Sequence, residues 1–187
     1  MALLAVGTGR CMSITTERAE ELLKLPKKLI VGGKVLDTYS ILQSVPFNEH
    51  YELISADSDE ISFLFAISQG PKNYLRISLH VQEDDSKIGL LRVDFNSPHT
   101  NPVVASKQVP KKFRVYAGKR FLSAEHHIHY HVEGYKTLAW AVPLSDDEFA
   151  VKTIDSNNTS QSLINAIFQF AKVVNIKTIL SIMPTIL

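Results

Sequence analysis

The sequence predicts an α+β fold: a mostly antiparallel β-sheet with helices packed on one face and a polar, histidine-rich opposite face. Three observations carry this expectation. Residues 61–96 alternate between apolar and polar side chains in three runs joined by short turns, the pattern of half-buried antiparallel strands. Leu163, Ile167, Phe170, Ala171 and Val174 recur at helical spacing. The stretch HHIHYHVEGY at 126–135 alternates histidine with Ile128, Tyr130 and Val132, which on a strand sends the imidazoles to one side.

The elements follow in chain order. Thr15 or Thr16 caps a short helix with Glu17, Glu20 and Glu21 in its first turns and an apolar stripe of Ala19, Leu22 and Leu23. Short strands are expected near 28–37, around Gly32–Gly33, and at 49–56. Ile61–Gln69 carries Phe63, Phe65 and Ile67 on one face, and Gly70–Asn73 is a turn. Tyr74–Gln82 sets Leu75, Ile77, Leu79 and Val81 against Arg76, Ser78 and His80. After a turn at Asp84–Lys87, Gly89–Asn96 sets Leu91, Val93 and Phe95 against Leu90, Arg92 and Asp94. The loop NSPHTNP leads to expected strands at Phe113–Tyr116, through the histidine run, and at Thr137–Pro143. Ser156, Asn158 or Thr159 caps a helix at about 159–173, and the tail TILSIMPTIL is a strand or a docking segment. Leu79, Val93, Ile128, Val132 and Phe168 are expected in the core.

Composition narrows the function classes. With 45% hydrophobic and 21% charged residues the chain is an ordinary globular one, and a net charge of +1 confines any nucleic-acid site to a local patch. Residues 1–11 read as an extension or expression remnant ahead of a single α+β domain at 12–187. Cys11 is the only cysteine, which excludes an internal disulfide and favours a reducing cytoplasm. No run of about 18 apolar residues occurs, so no membrane span is expected.

If the strands are neighbours, the polar face gathers Arg76, Ser78, His80, Arg92, Asp94, His127, His129, His131 and Glu133. His127-x-His129-x-x-x-Glu133 resembles part of the first cupin motif, and His127, His129 and Glu133 could hold a divalent transition metal. The cupin glycines and the second motif are missing. The run His127-Ile-His129-Tyr-His131-Val resembles the motif of histidine-triad hydrolases over six residues, with Glu133 at an apolar position of that motif. A third chemistry is metal-independent RNA cleavage, which needs an acid, a base and cations. His127, His129 and Glu133 are the acid–base candidates, Arg92 would stabilise the phosphorane, and Arg76, His80, Asp94 and His131 would bind substrate. A polar sheet face with helices behind it resembles the plan of small RelE-like or barnase-like toxins.

A longer resemblance rests on LLRVDFNSPHTNP, HIHYHVEGY and LAWAVPL. These resemble a family of small uncharacterised proteins from bacteria and mobile elements, patterned as LRxD, H-x-NP, HxHxxxEGY and a Trp-Ala-x-Pro segment. Leu91, Arg92, Asp94, His99, Asn101, Pro102, His127, His129, Glu133, Gly134, Tyr135, Trp140, Ala141 and Pro143 match; His131 lies outside the pattern. The resemblance implies a toxin–antitoxin, phage-defence or counter-defence setting and no established activity. Two classes of function follow. One is an endoribonuclease without a cofactor, acting on RNA. The other is a non-enzymatic binding module, such as an antitoxin, an anti-CRISPR-type inhibitor or a regulator, with a protein partner. The cupin-like metal protein stays as an alternative, and homo-oligomerisation stays open. Simpler roles compete: His99 and Asn101 organise their turn, Gly134 ends the strand, and Tyr135 and Trp140 fill the core.

Overall fold

Thr15 opens the first helix, α1 (Thr16–Lys24), by accepting a hydrogen bond from the Arg18 N–H at 3.1 Å, and Ala19 and Leu22 are the residues it buries. The computed structural model describes residues 14–58 and 60–184, so the expectation for residues 1–11 lies outside the described residues. A hairpin of β1 (Lys27–Val31) and β2 (Lys34–Leu36) follows, then β3 (Thr38–Gln43) and β4 (Asn48–Ser55). The turn between β1 and β2 uses Gly32 and Gly33 at φ +56° and +75°, a left-handed region that glycine enters without a Cβ clash. β5 (Ser62–Gln69), β6 (Ile77–Glu83) and β7 (Ile88–Phe95) continue as an up-and-down meander. An arm then carries β8 (His99–Thr100), the single turn α2 (Lys111–Arg114) and β9 (Arg120–Phe121). β10 (His127–Tyr130), β11 (Trp140–Pro143), α3 (Thr159–Val173) and β12 (Ile179–Pro184) complete the chain.

The α+β class expected from the sequence is the one the chain adopts. Eight strands form one antiparallel sheet in the order β11-β10-β7-β6-β5-β4-β1-β2. The tail is a strand: β12 pairs in parallel with β3. One sheet face is apolar, with Phe63, Phe65, Leu79, Val81, Leu91, Val93 and Ile128 all buried. α3 lies against it through Leu163, Ala166, Ile167, Phe170 and Ala171, and the Phe170 ring stacks on Phe65 at 5.4 Å.

Lys27 ties the two long helices to this sheet. It is fully buried, and its ammonium donates to the carbonyls of Leu22, Leu23, Leu25 and Val174 at 2.7–3.0 Å. Those oxygens belong to the last turn of α1 and to the end of α3, where carbonyls lack helical partners and the helix dipole is negative. The ammonium also lies 4.6 Å from the centre of the Phe63 ring. Burial lowers the Lys27 pKa to about 7, and the carbonyl cage supplies the hydrogen bonds that its charged form requires.

Several expectations are corrected. Phe113–Tyr116 is not a strand: Phe113 belongs to α2, which starts at the proline-led Lys111. Phe168 is 40% exposed. At about 100° per residue it points well away from Ile167 and nearly opposite Phe170, which fills the core instead. Leu79, Val93, Ile128 and Val132 are buried as expected. The strand expected from Tyr74, β6, starts at Ile77, and the strand expected from Thr137, β11, is only Trp140–Pro143. The histidine strand ends at Tyr130, with consequences for His131 and Glu133.

Candidate functional site

The sheet register assembles the site. One cross-strand row on the polar face reads Asn48, Ser68, Ser78, Asp94, His127 and Pro143; the next reads His50, Ala66, His80, Arg92, His129 and Ala141. Residues directly opposite on paired strands have adjacent side chains, so Asp94 meets His127 while Arg92 meets His129.

Asp94 is the hub. Its Oδ1 accepts from Ser78 Oγ at 2.6 Å. Its Oδ2 lies 2.9 Å from Arg92 Nε, 3.0 Å from His129 Nε2 and 3.7 Å from His127 Nε2. The Arg92 Nε–H points off the line to Oδ2 and makes no hydrogen bond of good geometry despite that distance. Burial raises the Asp94 pKa, but His129, Arg92 and Ser78 outweigh it and hold the carboxyl well below the usual carboxylate range. Asp94 is therefore ionised at neutral pH.

The histidines behind it are sealed. His127 and His129 are both 0% exposed. His129 Nδ1 faces the Leu138 carbonyl at 2.8 Å and donates to it, so in the neutral ring Nε2 carries the lone pair and accepts from Arg92 Nη2 at 3.0 Å. Burial lowers the His129 pKa, and it lowers that of His127 to about 3. Neither ring nitrogen of His127 has a hydrogen bond of good geometry. His80 lies one strand away beside Arg92, and its buried Nε2 is also unpartnered. Gly89 permits this closure: a Cβ there would sit 2.7–3.0 Å from Leu138, Thr137 and His80.

The arm supplies the lid. The His99 ring lies 4.5 Å from His129 and 5.7 Å from His127, and Phe121 lies 4.5 Å from His127. His99 Nε2 donates toward Asn101 Oδ1 and the Ala139 carbonyl, at 3.1 and 3.0 Å. Buried Asn101 accepts from the Ala141 N–H at 2.9 Å and donates to the carbonyls of Ala141 and Tyr116 at 2.8 and 3.0 Å. Ala141 lies on the edge strand β11. The Asn101 amide thus occupies backbone groups that a sheet edge leaves open.

In front of Asp94 and Arg92 lies an open groove of about 440 Å³, lined by Asn48, Ser68, Ser78, Arg76, Arg92, Asp94 and Ser97 among others. Arg92 is 33% exposed at its side chain and joins the groove to the histidines. Arg76 lies exposed on the rim and donates from Nε to Ser97 Oγ at 3.1 Å.

Of the residues singled out in the sequence, His80, Arg92, Asp94, His127 and His129 come together, and Arg76 stands at the groove. His131 and Glu133 do not join them. Beyond Tyr130 the chain turns to α1: His131 Nε2 donates to the Ile14 carbonyl at 3.0 Å, and the Glu133 N–H is held by Thr16 Oγ1 at 3.0 Å. The expected face of His127, His129, His131 and Glu133 is therefore broken. The metal-competent trio among the described residues is Asp94, His127 and His129, not the trio with Glu133.

A family model described as a family of unknown function, DUF6978, matches residues 14–176. The chain belongs to this family. The DUF6978 match spans α1 through α3 and so contains every residue of the cluster. No curated protein and no solved structure matches the chain significantly. Among the described residues, no helix is long and apolar enough to cross a membrane.

Sequence reasoning missed the arm. From Phe95 to Ala124 there are six basic residues and no Asp or Glu. Lys107, Lys111 and Arg120 are exposed without an ion-pair partner among the described residues. The signal was available as a charge count over that window. The place of His99 over the histidine pair required the tertiary structure.

Proposed function

We propose that this protein binds the phosphate backbone of single-stranded RNA along the groove between Arg76 and Arg92. The observation that carries the reading is the groove itself: the Arg76 and Arg92 guanidinium groups line one open cleft with Ser97, and its one carboxylate, Asp94, is offset by Arg92 at 2.9 Å. Arginine recognises phosphate bidentately, and the Ser97 hydroxyl, which accepts from Arg76, keeps its own O–H to donate, whereas Ser68 and Ser78 donate to Asn48 and Asp94. The arm leaves the groove at Ser97 and carries Arg120 on β9, opposite Thr100, exposed and without an ion-pair partner among the described residues, a further cation that needs no high net charge.

Ribonuclease activity in the same groove is the second reading. It draws support from Arg92, which lines the groove and touches His129. Burial weighs against it, because acid–base groups must reach the 2′-oxygen or the leaving oxygen. RNA binding without cleavage is therefore the preferred reading. A cytoplasmic role in a bacterial toxin, phage-defence or counter-defence system fits either reading.

The test uses fluorescently labelled single-stranded RNA and the same sequence as DNA, titrated with native protein in EDTA. Saturable RNA binding with no cleavage supports the proposed RNA binding. Cleavage that leaves a 2′,3′-cyclic phosphate, with a 2′-deoxy residue at the cut site surviving, supports the ribonuclease. Neither binding nor cleavage of RNA overturns both.

A further inference from the structure

We propose that Asp94, His127 and His129 form a binding site for a divalent transition-metal ion of the zinc class. Their ligand atoms lie within 4.8 Å of one another, and all three residues are buried. Zinc bound tetrahedrally to imidazole nitrogen and carboxylate oxygen at about 2.0–2.2 Å places its ligand atoms about 3.3–3.6 Å apart. Asp94 Oδ2 stands 3.0 Å from His129 Nε2 and 3.7 Å from His127 Nε2, distances that bracket that spacing.

The surroundings are those a metal site needs. A ligating histidine usually donates its other N–H to a carbonyl or carboxylate, and a ligating carboxylate is itself hydrogen-bonded. His129 Nδ1 donates to the Leu138 carbonyl at 2.8 Å, which leaves Nε2 free to coordinate. Asp94 Oδ1 accepts from Ser78 at 2.6 Å, which leaves Oδ2 for the ion. His127 provides the independent observation. It is 0% exposed and has no hydrogen bond of good geometry at either nitrogen. An imidazole buried in that state costs free energy; a coordinated ion satisfies Nε2, the nitrogen facing Asp94, and the Glu125 backbone is the group that comes nearest to an acceptor for the ring.

Arg92 shows why the seat attracts a cation. His129 Nε2 and Asp94 Oδ2 stand 3.0 Å apart, joined by one hydrogen when Nε2 is protonated and left as two facing acceptors when it is not. Without that proton the pair needs positive charge beside both atoms. The guanidinium supplies it, at 2.9 Å from Oδ2 and 3.0 Å from Nε2, with its Nε–H misaligned. A metal ion satisfies the same two atoms and adds His127, which Arg92 does not reach with a hydrogen bond. Metal binding then displaces the guanidinium toward the groove, into which its partly exposed side chain already opens.

The inference does not depend on RNA, and its test contains none. Native protein is stripped with a chelator, dialysed and titrated with Zn²⁺ alone by calorimetry, and with Co²⁺ alone by visible absorption. The expected result is one equivalent bound, with cobalt bands whose intensity reports low coordination number. Long-range ¹H–¹⁵N spectra of native protein should show the His127 and His129 ring nitrogens shifting with zinc, a readout that needs no variant. Ser78→Ala should weaken zinc binding about tenfold through the loosened carboxylate. Arg92→Ala should tighten it, because a competing cation is gone; a purely structural arginine predicts no gain. No stoichiometric metal, ring nitrogens unmoved by zinc, or a folded His127→Gln variant that keeps its full affinity would overturn the site.

Discussion

His127 faces Asp94 across the β10–β7 pair, its Nε2 3.7 Å from Oδ2, while Asn101 on the covering arm grips the next strand at Ala141. The cluster is thus built by the sheet and sealed by a segment that is fastened to the sheet edge through Asn101. The arm's attachment is correspondingly concentrated. Asn101→Ala leaves the buried N–H and carbonyl of Ala141 without partners and frees His99 from one of its two acceptors. The expected cost is about 2–4 kcal/mol. Denaturant unfolding measures it, and limited proteolysis should cut first between residues 97 and 125. Native-like stability and an uncut arm would show that other contacts hold the lid.

Lys27 gives a second expectation. Replacing it with methionine keeps the volume and apolar stem but strands the carbonyls at the ends of α1 and α3. Loss of roughly 3 kcal/mol is expected, since acceptors remain buried without their donor. A thermal melt of Lys27→Met at the native midpoint would show that the cage contributes nothing.

Acid sensitivity follows from His80. Burial, then the Arg92 charge, lowers its pKa from 6.5 to about 4, against the opposing charge of Asp94; His129 and His50 also face it and lower it further. Between pH 4 and 6.5 the unfolded chain therefore binds a proton that the folded one does not. Stability from this group is fully present above pH 6.5 and is lost as pH falls to about 4. One such group gives a slope of at most about 1.4 kcal/mol per pH unit. Urea unfolding at pH 7, 6 and 5 should show the decline, and His80→Asn should flatten it. Identical slopes in the two proteins would remove His80 as a cause.

Much of this was legible in the sequence, for reasons that particular residues show. The period of Leu163, Ile167 and Phe170 announces α3, and the alternation in 77–95 fixes which side chains share a face. Ser78, His80, Arg92, Asp94, His127 and His129 were all placed on the polar side for that reason. Alternation cannot supply register, so the pairing of Asp94 with His127 was not readable. Nor could it locate the end of β10, because His131 and Glu133 are drawn away by Ile14 and Thr16, 117 positions distant. Phe168 is apolar yet lies on the outer side of α3, because its angle around the helix, and not its side chain, decides which face it takes.

The claim that the groove engages RNA is tested most directly by the salt dependence of RNA binding in native protein and in Arg76→Ala. Arg76 lies on the rim and contributes no hydrogen bond to the Asp94–histidine cluster, so its loss leaves that cluster intact. Each phosphate contact to a single strand contributes about 0.7 to the slope of log affinity against log salt. Arg76→Ala should bind every RNA sequence more weakly and with a slope shallower by about that amount. Affinity and slope both unchanged in Arg76→Ala would contradict the account.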